Sequence, residues 1–190
     1  MDVHVETVLK SLEEEEERRR REGRPSLLCV GREGGQLLHV PALLRKPMRV
    51  LEVGLSAGYS TLWMASALLP GACLYTVEKD PTKVELARDH LRQAGLLDRV
   101  EILEGLALSH LKDLRQPLDM VFLDAAKDEY VAYLKAVEPL LTPWAVVVAD
   151  NVLSHREALQ PYVDYVRRHP AFRSFTFPLG NGLEVTVKIA

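Results

Sequence analysis

Residues 50–61 read VLEVGLSAGYST. In this stretch an apolar strand runs into a turn that contains Gly54 and Gly58, and the turn opens directly into a helix. Such a layout lets backbone N–H groups approach a ligand and points a helix N-terminus at its carboxylate or phosphate. The spacing E-x-G-x-x-x-G is not the G-x-G-x-x-G of a dinucleotide site, and no lysine follows as in a P-loop. The stretch predicts a cofactor turn, and a buried strand and turn without a ligand is the alternative.

Three more apolar runs end on acidic residues at the point where a strand would stop. These ends are Glu78, Asp124 and Asp150, the last followed by Asn151. Glu78 lies 20 residues after Gly58, where doubly wound folds place an acid that binds ribose hydroxyls. A solvated acid at a strand end is the alternative for Glu78. Because ligands bind beyond the carboxyl ends of the strands in open α/β sheets, we expect all these side chains at one edge of the sheet.

Two of these acids suggest a metal site. Asp124 and Asp150 are 26 residues apart, which leaves room for one helix and one strand and so predicts neighbouring strands. With Asn151 they make an oxygen-only donor set, which suits Mg²⁺, or Mn²⁺ as a substitute. The alternatives are a helix N-cap at Asp124 and an Asx turn at Asp150-Asn151.

The rest of the chain alternates between strand and helix patterns. It predicts helices over residues 60–69, 81–94, 128–141 and 156–169, and a loop followed by a helix over residues 105–114. A final pair of strands, residues 172–177 and 183–189, is joined through Asn181-Gly182, a strong hairpin signal. We therefore predict an α/β fold: a single Rossmann-like, doubly wound domain with a seven-stranded, mostly parallel sheet. Helices cover both faces, and one strand near the C-terminus is antiparallel.

The N-terminal segment, residues 1–24, is predicted as a charged helix before the main domain of residues 25–190. Its acidic run is followed by a basic run, which predicts the i,i+4 pairs Glu14–Arg18, Glu15–Arg19, Glu16–Arg20 and Glu17–Arg21. Gly23 and Pro25 end the helix. Its apolar stripe, formed by Val5, Val8, Leu9 and Leu12, has no place on a sheet already covered on both faces, and this predicts a homodimer.

Composition excludes several classes of protein. The net charge of −3 and the self-paired arginine run argue against a nucleic-acid-binding face. No apolar run approaches the ~20 residues that span a bilayer, and we expect no membrane association. Two distant cysteines, Cys29 and Cys73, are expected to be reduced, and we expect a cytoplasmic protein. Scattered histidines give no zinc spacing.

Taken together and in order, these motifs resemble the Mg²⁺-dependent catechol O-methyltransferase-like family, which includes the caffeoyl-CoA O-methyltransferases. The matching motifs are Val30-Gly31 with Gly35-Gln36, Glu52-Val53-Gly54 with Gly58-Tyr59-Ser60, Val77-Glu78, Val121 to Lys127, Ala149-Asp150-Asn151 and Gly182-Leu183-Glu184. The resemblance runs from about residue 30 to the C-terminus. It implies S-adenosylmethionine as the methyl donor, Mg²⁺ or Mn²⁺ as the metal, and pairing of two subunits.

The resemblance also implies roles for individual residues. The cofactor-binding residues would be Val30, Glu52, Gly54, Ser60, Glu78, Ala107 and Asp124, and the metal ligands Asp124, Asp150 and Asn151. Lys127 would be the general base that takes the proton from the substrate hydroxyl. A lysine at the start of a helix opposes the helix dipole, so local structure does not explain it. A nearby divalent cation lowers the pKa of a bound hydroxyl and of an adjacent ammonium.

The acceptor stays open between alternatives. The leading one is a small molecule with a vicinal diol or catechol-like phenol. The second is a hydroxylated wobble uridine of tRNA, which an oligomer could bind through Arg32, Arg45, Lys46 and Arg49. The third is a non-catalytic protein that binds S-adenosylmethionine. Leu106 and Asn181 stand where many relatives carry a polar residue and an aspartate, and no acid near Phe175 matches the one that binds catechol.

Overall fold

The computed structural model describes residues 1–189, which form one α/β unit. Its helices are α1 (Val3–Arg21), α2 (Gly31–Arg45), α3 (Tyr59–Ser66), α4 (Pro81–Gln93), α5 (Ala107–Asp113), α6 (Tyr130–Val137) and α7 (Arg156–Arg168). Its strands are β1 (Arg49–Val53), β2 (Cys73–Glu78), β3 (Val100–Glu104), β4 (Leu118–Leu123), β5 (Leu141–Ala149), β6 (Phe172–Phe177) and β7 (Leu183–Lys188). Short 3₁₀ turns precede β3 and flank α6 on both sides.

The seven strands form one sheet in the order β3-β2-β1-β4-β5-β7-β6. The first five run parallel, and β7 is antiparallel to both β5 and β6. The order reverses between β1 and β4, which is the switch point where ligands bind in such sheets. The predicted doubly wound fold, the seven strands and the single antiparallel strand near the C-terminus are confirmed.

Helices cover both faces of the sheet. Residues of α1, α2 and α3 pack with Val50, Met120 and Phe122 on one face. Residues of α6 and α7 pack with Leu51, Val121 and other inward residues of the opposite face. Because successive residues of a strand point to opposite faces, a strand covered on both sides is apolar throughout. This explains the unbroken apolar runs in the sequence.

The N-terminal helix belongs to this packing. Its stripe of Val5, Val8, Leu9 and Leu12 is buried within the chain, in the same core cluster as residues of α3. The expectation that the stripe could not be buried is therefore wrong, because α1 packs over α3 and α4 rather than on the sheet itself. The exposed face of α1 carries two of the four predicted charge pairs, while Arg18 pairs with Glu15 and Arg20 with Glu17. Glu15–Arg19 and Glu17–Arg21 form, whereas Glu14 lies near Lys10 and Glu16 turns inward.

Two helices differ from the sequence prediction. No element was predicted between Pro25 and Val50, yet α2 occupies residues 31–45 despite three glycines in its first five residues and Pro41. Gly35 is needed there, because a Cβ atom would lie 2.2 Å from Nε1 of Trp63. The predicted helix over residues 128–141 is shorter: α6 spans only residues 130–137, since Pro139 follows in a 3₁₀ turn and Leu141 already begins β5.

Cys29 and Cys73 are free thiols. Among residues 1–189, no helix combines the length and the apolar character that crossing a membrane requires.

Candidate active site

The carboxyl ends of four neighbouring strands bring the predicted site residues together. The sheet hydrogen bonding continues just past the strands: Gly105 N–H donates to Glu78 O, Gly54 to Val77 O, Asp124 to Val53 O and Asp150 to Leu123 O, at 2.8–3.0 Å. Each residue after a strand is thus held by its neighbour's backbone. Glu78, Gly54, Asp124 and Asp150 consequently lie side by side along one edge.

A cavity of about 560 Å³ opens above this edge. Seven of the predicted site residues line it: Gly54, Glu78, Ala107, Asp124, Lys127, Asp150 and Asn151. Val30 and Ser60 instead line a small adjoining pocket, together with Gly54 and Asp124. Glu52 reaches neither space, because its side chain is completely buried. The structure therefore gathers seven of the ten predicted site residues at one opening, with Val30 and Ser60 beside it and Glu52 beneath it.

At Gly54, the backbone of the cofactor turn lies against the backbone of Asp124. The φ of Gly54, 106°, lies in a region that side chains rarely adopt, and a Cβ atom there would lie 2.3 Å from the carbonyl oxygen of Asp124. Gly58, with φ 83°, begins α3. Only glycine at position 54 lets the cofactor turn lie against the start of the Asp124 loop.

Glu52 lies beneath the cofactor turn and binds it through hydrogen bonds. Its carboxylate accepts hydrogen bonds from the hydroxyls of Ser60 at 2.5 Å, Thr61 at 2.6 Å and Thr76 at 2.7 Å. These donors belong to the first turn of α3 and to β2. Burial raises the pKa of Glu52 to about 7, and the three hydroxyls only partly offset that rise. Glu52 thus acts on the turn through Ser60 and Thr61.

Three backbone N–H groups donate hydrogen bonds to the carboxylate of Glu78 and fix its position. Its Oε1 accepts from the N–H groups of Lys79 at 2.9 Å and Asp80 at 3.0 Å, and its Oε2 accepts from Ser56 N–H at 3.1 Å. The carboxylate stays partly exposed and lines the cavity. A fixed acid at this position suits the ribose role that the resemblance implies for Glu78.

Asp124 and Asp150 form the acidic part of the cavity. Asp124 Oδ1 accepts from Lys127 Nζ at 2.9 Å and from Asn151 Nδ2 at 2.8 Å. Burial raises the pKa of Asp124. The pKa of Asp150 is raised to about 7, first by burial and then by the charge of Asp124. Two partly desolvated carboxylates repel each other, and a bound divalent cation would reduce that repulsion.

The donor set fits a hard cation with few protein ligands. Within residues 1–189, no group of three or more His, Cys, Asp or Glu side chains has metal-binding geometry. The third predicted ligand, Asn151, is an amide. Its Nδ2 faces Asp124 and its Oδ1 faces Ser154 Oγ at 3.4 Å, so ligation by Asn151 requires the amide to turn over. Two carboxylates and one amide leave positions for water and acceptor oxygens, as Mg²⁺ prefers.

Lys127 lies in the 3₁₀ turn before α6, not in the helix itself. Its Nζ contacts Asp124 Oδ1 and, at 3.3 Å, the hydroxyl of buried Tyr130. The ion pair with Asp124 gives a structural reason for a lysine at this position, which the sequence argument lacked. Its side chain is about one-fifth exposed, so Nζ lies at the border between protein and cavity.

Several lining residues were not foreseen. They are Ser26, Leu28, Cys29, Ser56, Lys79, Lys83, Glu129, Tyr133, His155 and Asn181. Asn181 belongs to the hairpin loop, whose carbonyl accepts from Leu153 N–H and Ser154 N–H at 3.0 Å and so supports the loop after Asn151. The hairpin signal was visible in the sequence. Its approach to residues 151–154 depends on long-range packing and was not.

The fold and the site define the class of α/β proteins that bind a nucleotide-containing cofactor at the carboxyl ends of a parallel sheet. Within that class, the model of the O-methyltransferase family matches residues 2–179. The chain therefore belongs to the O-methyltransferase family. It is an S-adenosylmethionine-dependent O-methyltransferase, and this part of the sequence prediction is confirmed.

Individual relatives agree with this placement. The chain is 36% identical over 158 residues to a catechol O-methyltransferase of Niastella koreensis, covering 78% of this chain and 71% of that protein. It is 39% identical over 127 residues to a catechol O-methyltransferase of Mycobacterium tuberculosis, covering 66% of this chain. The match spans only 58% of the length of the mycobacterial protein.

Solved structures of similar fold include cofactor complexes. The O-methyltransferase TomG from Streptomyces achromogenes, in complex with S-adenosylmethionine, has a TM-score of 0.85 at 28% identity, covering 100% of this chain and 91% of that chain. The O-methyltransferase from Bacillus cereus, in complex with S-adenosylhomocysteine, has a TM-score of 0.83 at 25% identity, covering 99% and 91% of the two chains.

The close approach at Gly54 predicts a specific effect of Gly54→Ala. The added methyl group would collide with the backbone of Asp124, so we expect both stability and cofactor affinity to fall. Gly95→Ala is the matched control: Gly95 has φ 67°, but a Cβ atom there meets nothing within 4 Å. The control should lose only about 1–2 kcal/mol of stability, because its new side chain is strained in a left-handed conformation. Urea unfolding and calorimetric titration with S-adenosylhomocysteine measure both effects, and equal losses in the two variants would contradict the collision.

The raised pKa of Glu52 predicts a pH-dependent stability. The folded protein holds the Glu52 proton more tightly than the unfolded chain, so this contribution is full below about pH 4.5 and is lost as the pH rises through about 7. Between about pH 5 and pH 8, the free energy of unfolding should fall by roughly 2–3 kcal/mol more in the wild type than in Glu52→Gln. Urea unfolding of both proteins at each pH tests this, and parallel pH profiles would refute it.

Proposed function

We propose that this enzyme is metal-dependent and methylates a hydroxyl of a catechol-like or vicinal-diol small molecule. The observation that carries the proposal is the cluster of Asp124, Lys127, Asp150 and Asn151 beside the cofactor turn, at the mouth of one cavity. The catechol O-methyltransferases among the relatives support the same class of acceptor. Mg²⁺, with Mn²⁺ as a substitute, is the proposed metal.

The residues of the chain divide the work by position. Gly54, Ser60 and Glu78 hold the methionine and ribose ends of the methyl donor, and Ala107 and the backbone near Leu106 face the adenine. Asp124, Asp150 and Asn151 would hold the metal, whose charge lowers the pKa of a bound acceptor hydroxyl. This arrangement contributes positioning and charge neutralisation, which suits a direct transfer of a methyl group between two bound molecules.

Lys127 is the proposed general base. As an unprotonated amine, Nζ would take the proton of the acceptor hydroxyl while the methyl–sulfur bond of S-adenosylmethionine breaks and the methyl–oxygen bond forms. Lys127 Nζ lies 2.9 Å from Asp124 Oδ1. A cation shared by Asp124 and Asp150 would offset the carboxylate charge that pairs with Nζ and so leave Nζ available to the acceptor hydroxyl.

The charges of the described side chains favour a small acceptor over tRNA. Of the basic residues that an RNA groove would use, Arg32 pairs with Glu6 and Glu13, and Arg45 pairs with Asp119 at 3.0 Å. Paired arginines release few counterions on phosphate binding. A non-catalytic role is less favoured still, because the whole acidic cluster and Lys127 face the cavity. We also propose a cytoplasmic location, supported by the free cysteines.

A panel assay with labelled S-adenosylmethionine tests the function. Catechols, caffeoyl-type phenols, aliphatic diols and tRNA whose wobble hydroxyuridine is not yet methylated would each be offered with Mg²⁺ and with EDTA. We expect methylation of a catechol-like acceptor that stops in EDTA and returns with Mg²⁺ or Mn²⁺. Undiminished turnover in EDTA would refute the metal role, and salt-sensitive methylation of tRNA alone would favour the second acceptor class.

Two substitutions separate the metal from the base. Asp150→Ala removes a charged ligand, so it should weaken metal affinity and abolish activity, with partial rescue at high Mn²⁺, while cofactor binding persists. Lys127→Ala should leave metal and cofactor affinity near normal but lower kcat by roughly 10²–10⁴. That loss should shrink as the pH rises and the hydroxyl ionises unaided. Calorimetry and pH–rate profiles measure both, and full activity of Lys127→Ala at neutral pH would exclude it as the base.

We further propose a homodimer, now on a different surface from α1. Val40, Leu43 and Leu44 form an exposed apolar stripe on α2, with half or more of each side chain open to solvent. Sedimentation at micromolar concentration should give twice the chain mass of 21.4 kDa. Leu44→Glu should reduce it to the single-chain mass, whereas Leu86→Glu on α4 should not. A single-chain mass for the wild type would reject the dimer.

A further inference from the structure

Residues 25–29, here called the strap, cross the cofactor side of the cavity without regular secondary structure. Ser26, Leu28 and Cys29 line the cavity, so the strap faces whatever binds there. Leu28 has a φ of 59°, a left-handed conformation that leucine rarely adopts. Such a conformation persists only where surrounding contacts enforce it.

Helix α1 binds this strap through Glu16, and Arg19 Nη1 also donates to Pro25 O at 3.2 Å. Glu16 makes two of these contacts. Its Oε1 accepts from Ser26 Oγ at 2.5 Å, and its Oε2 accepts from Leu27 N–H at 2.6 Å. Ser26 Oγ in turn accepts from Leu28 N–H at 2.8 Å. Both carboxylate oxygens are therefore used on the strap, in charge-assisted hydrogen bonds that are stronger than neutral ones. Glu16 follows Leu12 at i+4, so it extends the inward face of α1 by one turn.

The strap is tied to the cofactor turn on its other side. Ser56 Oγ donates to Leu27 O at 2.8 Å, and Ser56 N–H donates to Glu78 Oε2 at 3.1 Å. A continuous chain of hydrogen bonds thus runs from Glu16 through Leu27 and Ser56 to Glu78. Ser56 itself has a φ of 47°, so the link between strap and turn is also held in an uncommon conformation.

We propose that Glu16 is a positioning residue for S-adenosylmethionine. It lies outside the cavity lining and acts by fixing the strap against the methionine side of the site and, through Ser56, the carboxylate of Glu78. The inference rests on the family's cofactor but not on the proposed metal or acceptor. It gives the charged N-terminal helix a part in cofactor binding.

Glu16→Gln tests the proposal, because the amide keeps the size but turns one acceptor into a donor. We expect the Kd for S-adenosylhomocysteine and the KM for S-adenosylmethionine to rise roughly tenfold, as for the loss of a charge-assisted hydrogen bond. The kcat at saturating cofactor should stay within about twofold, since the reacting groups are untouched. Glu17→Gln is the matched control: within residues 1–189, Glu17 pairs only with Arg20 and Arg21 of its own helix, so the Kd and the KM should be unchanged.

Two further measurements separate positioning from general stability. Hydrogen exchange in Glu16→Gln should speed up at Leu27 and Leu28 but not at Leu9 and Leu12. The double variant Glu16→Gln/Ser56→Ala should lose less binding free energy than the sum of the losses in the two single variants. The reason is that both substitutions interrupt the same series of hydrogen bonds. Wild-type affinity in Glu16→Gln, a fall in kcat alone, or faster exchange throughout α1 would overturn the role. Absent binding by the wild type would overturn the cofactor assignment as well.

Discussion

The site depends on the contact between the backbones of Gly54 and Asp124. With a Cβ position only 2.3 Å from the Asp124 carbonyl oxygen, the cofactor turn and the start of the acidic loop can meet only through glycine. This contact holds the cofactor turn against the loop that carries Asp124. Asp124 N–H is bound to Val53 O directly before Gly54, so the parallel pairing of β1 and β4 fixes the approach.

A buried acid supports this contact from beneath. Glu52 is inaccessible, yet it receives three hydroxyl hydrogen bonds that join β1, β2 and the first turn of α3. A buried carboxylate is unfavourable unless it is hydrogen-bonded, and this one is fully partnered. Glu52 therefore shapes the turn from the inside, while Glu78, held by three N–H groups, presents its charge to the cavity.

The sequence predicted those parts of the molecule that follow from local pattern and sheet topology. Apolar runs ending on Glu78, Asp124 and Asp150 were sufficient to place these acids at one edge, because parallel strands end there together. It did not predict α2, because glycine and proline are unfavourable inside a helix. Gly35 is nevertheless required there by the close packing of α2 on Trp63. It also misplaced the stripe of α1 and the partner of Glu16. These depend on contacts between distant segments that no local pattern records.

The two halves of the site are held by different means. The cofactor half is held by backbone groups: the ladder past the strands, the donors on Glu78 and the glycine at position 54. The opposite side of the cavity, which we propose for the acceptor, is lined by side chains on loops, among them exposed His155 and Asn181. Side chains on loops can change without disturbing the sheet, whereas the backbone donors cannot. Under the proposed function, the rigid backbone would bind the cofactor and these loop side chains would select the acceptor.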